Sequence, residues 1–251
     1  MIRWVFFDVG NVILNDDPAL AMLYKLLYDS ILKTGKNVSL AQLFTRRESL
    51  IGEQNGYHYR TIAQEYLGEK NWHAIYKAIL RKLSENWLEL CPLMPGVLPV
   101  LKSIHNDFDL GIIANQPKEV MPALEKHGLL AFFKVLAISQ IVGASKPDAK
   151  IYNYALKQAN CDPCDAIMIG DRIDNDIHPA KMLGMRTIWL TLRNDEKGFI
   201  PKENFQKLYL ESVERGATSK LPPQNETEQP DIHADSFAEL ENAIRQINTS
   251  G

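Results

Sequence analysis

The chain has 251 residues, 45% of them hydrophobic and 24% charged, with a formal net charge of -3 and a pI near 6.1. That balance fits an ordinary globular protein with room for one large core, or for a core and a smaller domain, and gives no electrostatic reason to expect nucleic acid or an anionic membrane as partner. Three cysteines, an odd number, argue against a disulfide framework and for a reducing cytoplasm, and the apolar run after Met1 is too short for a signal peptide or a membrane span.

Ile2 to Phe7 is short, almost wholly apolar and rich in β-branched and aromatic residues. This is the pattern of a central strand in a parallel sheet covered on both faces. Asp8 falls where that strand ends, and in open α/β sheets the ligand crevice lies beyond the carboxyl ends of the strands. Gly10 and Asn11 permit a tight reversal directly after it. Taken alone, Asp8 could equally close its strand and bond its own turn.

From Asp16 to about Leu90 the pattern turns helical. Asp17-Pro18 reads as an N-cap followed by Pro at the first helical position, and Leu20, Leu23, Leu27 and Ile31 keep one face apolar up to Gly35. Ser39 with Gln42 forms a capping box for a second helix carrying Leu43, Leu50 and Ile51. A third helix spans Thr61 to Leu67. A fourth places Trp72, Ile75, Tyr76, Ile79, Leu83 and Trp87 on one stripe, and such a stripe is expected to pack rather than bind.

After Pro92 and Pro95-Gly96, strands and helices alternate: strand Asp109 to Ala114, helix Lys118 to His127, strand Val135 to Ile138, helix Ala149 to Ala159, strand Ala166 to Gly170, helix Asp174 to Leu183, strand Arg186 to Thr191. Parallel neighbours need crossover helices, so the expected fold is α/β, a doubly wound parallel sheet with an inserted all-helical domain. The expected boundaries are 1–15 and 92–251 for the α/β core and 16–91 for the insert.

Three later segments end in chemically loaded residues. One strand runs into Ala114-Asn115-Gln116, with Pro117 then opening a helix whose N-terminal amides could meet an anion. Ser145-Lys146-Pro147-Asp148 places a lysine just before the next helix. Gly170-Asp171-Arg172-Ile173-Asp174-Asn175-Asp176 puts a second carboxylate at a strand terminus, with two more close behind. Such acids repel one another unless a cation sits among them, and strand-end carboxylates with oxygen donors suit Mg²⁺.

Asp8-Val9-Gly10-Asn11-Val12, the strand ending in Ala114-Asn115, Lys146-Pro147, and Gly170-Asp171 with Asp176 resemble, in order and spacing, the four motifs of the haloacid dehalogenase (HAD) superfamily. The insert is similar to that family's helical C1 cap. Asp231 to Leu240 is similar to its last strand and helix. The resemblance implies a phosphatase in which Asp8 is the nucleophile, Lys146 offsets charge, and Asp176 orients Lys146 or a metal-bound water. It implies Mg²⁺ held by Asp8, the Gly10 carbonyl and Asp171. Asn11, Ala114, Asn115 and Lys146 stand as the substrate-binding positions, for a small phosphorylated metabolite.

Two positions depart from the family pattern. The second Asp of the usual Asp-x-Asp, which protonates the leaving group and later activates water, is Gly10. The Ser or Thr that usually ends the second motif is Ala114. Two alternatives therefore stand beside the phosphatase: a catalytically retired fold acting through binding, and a 2-haloacid dehalogenase, which lacks the second Asp and needs no metal. The acids of the last motif speak against the dehalogenase.

Candidates for a substitute base are Asp16, Asp17 and His58, the last in the stretch Asn55 to Arg60 read as a loop. Arg46, Arg47 and Arg60 could meet an anionic substrate, although solvated helix charges are the default reading. Cys161-Asp162-Pro163-Cys164 lacks the partners of a zinc site. Within 193–230, Phe199, Phe205, Leu208, Tyr209 and Val213 predict an amphipathic helix that could wrap the core or meet a second subunit, so monomer and homodimer both remain open.

Overall fold

The computed structural model describes residues 1–53 and 56–249, so Asn55 of the expected loop lies outside the described residues. The chain opens on β1 (Trp4–Phe7), all four residues buried. Four helices follow: α1 (Asp17–Lys33), α2 (Leu40–Gly52), α3 (His58–Leu67) and α4 (Glu69–Leu90). Then come α5 (Val97–Ile104), β2 (Asp109–Ala114), α6 (Val120–Lys126), β3 (Phe133–Ile138), α7 (Ser139–Val142), α8 (Ala149–Ala159), β4 (Ala166–Gly170), α9 (His178–Met182), β5 (Arg186–Leu190), α10 (Asn204–Arg215), β6 (Ile232–Ala234) and α11 (Phe237–Thr249). Among the described residues no helix is long and apolar enough to cross a membrane.

Two compact units emerge, Met1–Asn15 with Pro92–Gly198 and Pro222–Gly251, and Asp16–Cys91 with Phe199–Leu221. The first is α/β. Its six strands are all parallel in the order β3-β2-β1-β4-β5-β6. β1 sits between β2 and β4, which is why its residues are apolar on both faces. The helical unit interrupts this chain at a pinned point: Asn15 N–H donates to Pro92 O (2.8 Å) and Met94 N–H to Ile13 O (2.9 Å).

The helical unit is built as its apolar stripes require. Leu23, Leu27 and Ile31 of α1 are buried, as are Trp72, Ile75, Ile79, Leu83 and Trp87 of α4. Both halves of the Ser39–Gln42 capping box form.

One boundary needs correction. Phe199–Leu221, expected in the α/β core, belongs to the helical unit. The apolar face of α10 lies against rings of that unit: Phe205 is 5.6 Å from Phe44 and Tyr209 is 5.9 Å from Tyr24, centroid to centroid. Arg47 Nη1 closes the C-terminus of α10, donating to Ser212 O (3.2 Å) and Gly216 O (2.8 Å). A cation at those carbonyls complements the negative end of the helix dipole.

Two further local readings change. Helix α1 starts with Asp16 as the N-cap residue and no side-chain cap bond. Asp17 is buried instead, and its Oδ1 accepts from Tyr209 Oη (3.2 Å). The helix expected over 174–183 is split into a π-type turn, Ile173–Ile177, and α9.

Candidate active site

Strand register decides what meets what. Phe7 lies opposite Ile112 of β2 and Ile169 of β4. Asp8, Ala114 and Asp171 therefore leave the sheet at the same edge. The ladder reaches the acid itself, since Asp8 N–H donates to Ile169 O at 2.9 Å. Directly after it the chain reverses: Val9 O accepts from Ile13 and Leu14 N–H (2.8 and 2.9 Å), and Asn11 N–H donates to Leu14 O (2.7 Å). Asn11 adopts φ +55°, a left-handed conformation that Asn tolerates better than most residues. Its amide is used inside this turn and not presented outward.

The four motifs converge on a buried charge cluster. Lys146 Nζ lies 2.7 Å from Asp8 Oδ1 and 2.5 Å from Asp176 Oδ1. Carboxylate oxygens of Asp8, Asp171 and Asp176 all come within 4.8 Å of one another. Burial pushes the Asp176 carboxyl up to about 6, with Lys146 opposing the rise and Asp8 adding to it. Asp171 is held well above the usual carboxylate range by burial and then by Asp176 and Asp8. Burial works against the Lys146 charge, yet Asp176 and Asp8 outweigh it and the ammonium is held more firmly than usual.

Three carboxylates gather around Lys146, and the buried Lys197 also acts on Asp171, so acids outnumber lysines here. Arg172 does not supply the balance, because its guanidinium is committed to Asp174 at 2.5 and 3.0 Å. A cation among these oxygens would relieve their mutual repulsion. Hard oxygen donors in this number fit Mg²⁺, which keeps several of its own waters.

The cluster is held from behind. Asn115 clamps Lys146 through both amide atoms, Nδ2 to Lys146 O (2.8 Å) and Oδ1 from Lys146 N–H (2.7 Å). The Asn115 side chain therefore holds the lysine main chain. α6 starts at Val120, later than the expected opening at Pro117. Asp176 Oδ2 accepts from Arg172 N–H (3.0 Å), and Tyr152 Oη donates to Asn175 O (2.5 Å).

Gly170 is demanded by this packing. A Cβ there would fall far inside van der Waals contact with Asp176 Cβ, Cγ and Oδ2. Gly170→Ala is expected to displace Asp176 from Lys146 and to cost roughly 1–3 kcal/mol, the usual scale of overpacking. A melting curve measured beside a Mg²⁺ titration checks both effects.

Two residues at the site carry no signal in the sequence. Lys197 is buried, with Nζ 3.4 Å from Asn11 Oδ1, and its carbonyl accepts from Asn15 Nδ2 at 2.8 Å. In a polar stretch such a lysine reads as solvated. Trp189 Nε1 donates to Asp171 O at 2.8 Å, whereas on an apolar strand it reads as filler.

His58 belongs to α3, not a loop, and is buried with Nδ1 2.6 Å from Tyr24 Oη. Arg46 pairs with Glu65 (2.6 Å) and Arg60 with Glu69 (2.9 Å). Cys161 and Cys164 are free thiols, and burial, with Asp165 nearby, pushes Cys161 up to about 11.

Comparison with known proteins gives the family. The model of the family described as haloacid dehalogenase-like hydrolase matches residues 5–190. The chain belongs to that family. It is thus a hydrolase. It is 28% identical over 200 residues to pyrimidine 5'-nucleotidase YjjG of Escherichia coli (strain K12), covering 77% of this chain and 88% of that one. To glyceraldehyde 3-phosphate phosphatase of Pyrococcus furiosus it is 26% identical over 193 residues, 75% of this chain and 80% of the relative. Its fold is similar to that of HAD-hydrolase YfnB from Bacillus subtilis, solved bound to magnesium, with TM-score 0.68, 20% identity and coverage of 97% and 98%.

Proposed function

We propose that this hydrolase is a Mg²⁺-dependent phosphatase of a small phosphorylated metabolite, working through an aspartyl phosphate on Asp8. The observation that carries the reading is the buried set of Asp8, Lys146, Asp171 and Asp176, with one lysine bridging two of three acids. The nucleotidase and phosphatase named among its relatives support the same reaction class.

In the first step an Asp8 carboxylate oxygen attacks phosphorus as the bond to the leaving oxygen breaks. In the second, water attacks phosphorus of the acyl phosphate, releasing inorganic phosphate and restoring the carboxylate. Splitting the displacement in this way replaces one hard step by two easier ones. Lys146 pairs with Asp8 and balances charge arriving with the phosphoryl group. Asp176 holds Lys146 in line, and Asn115 fixes its main chain. Main-chain amides after Ala114 would hold phosphate oxygens, with one hydroxyl contact fewer than a Ser or Thr would give. The residues that would hold Mg²⁺ are Asp8, Asp171 and the Gly10 carbonyl. When bound, the ion supplies neutralisation of charge between nucleophile and phosphate.

Gly10 offers no proton to the leaving oxygen. General acid catalysis is worth typically ~10² to 10⁴ in rate, so that much is lost for alkoxide leaving groups and little for acidic ones. Turnover of p-nitrophenyl phosphate, which needs almost no proton, is expected and should require Mg²⁺. Across a series of aryl and alkyl phosphates, the rate should fall steeply as the leaving group becomes more basic. A flat series would mean another residue donates the proton. No turnover by folded protein, with chloride released from a 2-haloacid, would replace the phosphatase reading with the dehalogenase one.

A further inference from the structure

The peptide group between Asp171 and Arg172 is held at both ends. Its carbonyl accepts from Trp189 Nε1 at 2.8 Å, and its N–H donates to Asp176 Oδ2 at 3.0 Å. This one peptide plane thus joins two of the three clustered carboxylates. It carries the Asp171 side chain on one side and grips the Asp176 carboxylate on the other.

The indole does more than donate one bond. It packs with Ile173 and Ile177, the first and last residues of the π-type turn that delivers Asp176. Its outer face is covered by His233 of β6, 4.6 Å between centroids at 25°, and the His233 ring is set by Nε2 lying 2.6 Å from Thr191 Oγ1. Trp189 is therefore packed against Ile173, Ile177 and His233, with its single polar atom aimed at the Asp171 carbonyl.

We infer that Trp189 is the positioning residue of the cation site: its indole N–H sets the 171–172 peptide and thereby the spacing of the Asp171 and Asp176 carboxylates. It touches neither substrate nor the reacting atoms. The inference rests on the reading above that Asp171 is a Mg²⁺ ligand. Groups that orient ligands from outside typically cost 10- to 100-fold in metal affinity when removed. Loss of the N–H also leaves a buried carbonyl without its donor.

The test is Trp189→Phe, which keeps an aromatic ring against His233, Ile173 and Ile177 and deletes only the donor and part of the area. Mg²⁺ binding to wild type and variant is measured by calorimetry, with a melting curve as control for folding. The expected result is affinity weakened about 10-fold or more, with p-nitrophenyl phosphate turnover returning toward the wild-type kcat at saturating Mg²⁺. Unchanged affinity in a folded variant overturns the inference alone. A wild type that binds no Mg²⁺ overturns the metal reading beneath it as well. A second measurement needs no variant: in wild type labelled with ¹⁵N-tryptophan, one of the four indole N–H resonances should move on adding Mg²⁺, with the dissociation constant found by calorimetry. Four unmoved resonances count against the inference.

Discussion

Asp8→Asn is expected to lower p-nitrophenyl phosphate turnover by roughly 10⁴-fold or more, the scale on which removing the reacting group of a covalent catalytic unit acts. The replacement is nearly isosteric, so packing at the end of β1 is preserved. It removes one of the three carboxylates clustered around Lys146. Repulsion with Asp171 and Asp176 is relieved, and both carboxyls lose one cause of their raised values. The folded protein should thus melt no lower than wild type in the absence of Mg²⁺, while activity collapses. That dissociation of stability from turnover distinguishes loss of a nucleophile from loss of a structural acid. Rapid acid quenching of wild type during turnover should trap a phosphate adduct on the peptide containing Asp8, absent in the variant. An Asp8→Asn protein keeping a tenth of wild-type turnover would rule out Asp8 as the group attacking phosphorus.

Lys146→Met is expected to lose both activity and stability. The lysine side chain is fully buried between Asp8 and Asp176, and methionine of similar length removes the charge without opening a large cavity. Deleting one partner of a buried ion pair costs about 3–5 kcal/mol because the other charge is left uncompensated. Here two carboxylates lose their counter-charge at once.

The loss should depend on pH in a definite direction. Lys146 holds Asp176 down against burial, which has already pushed that carboxyl up to about 6. Without the lysine the carboxyl rises further. An acid whose pKa is higher folded than unfolded binds protons preferentially in the folded state, so stability falls as pH rises through that window. The variant should therefore lie nearer to wild type at pH 5 than at pH 8. Denaturant midpoints at those two values, without Mg²⁺, provide the check. A deficit that is constant or larger at pH 5 would mean the lysine does not neutralise these acids.

The helical face of α10 and the strand-end acids show what the sequence determined by itself and what waited for the fold. Apolar periodicity alone marked β1, β2 and β4 as covered strands, and the residue that ends or follows each such run is placed by geometry at the carboxyl edge of a parallel sheet. Asp8, Ala114 and Asp171 were legible for that reason, and the spacing of Lys146 and Asp176 completed the pattern. The Ser39–Gln42 box was legible because its partners are three residues apart.

What periodicity records is that a face is buried, not what buries it. The stripe of Phe205, Tyr209 and Val213 announced a helix, but only the folded chain places it against Phe44 and Tyr24. The same limit hid Asp17 under Tyr209, His58 beside Tyr24, and Asn115 on the lysine backbone. Trp189 and Lys197 were invisible for the complementary reason. Their partners Asp171 and Asn11 lie 18 and 186 positions away along the chain, and no local spacing encodes a bond across that separation. Residue types and their local order set the strands, the turns and the acids, whereas the tertiary structure alone decided which polar atom each side chain meets, because a hydrogen bond is a relation of distance in space.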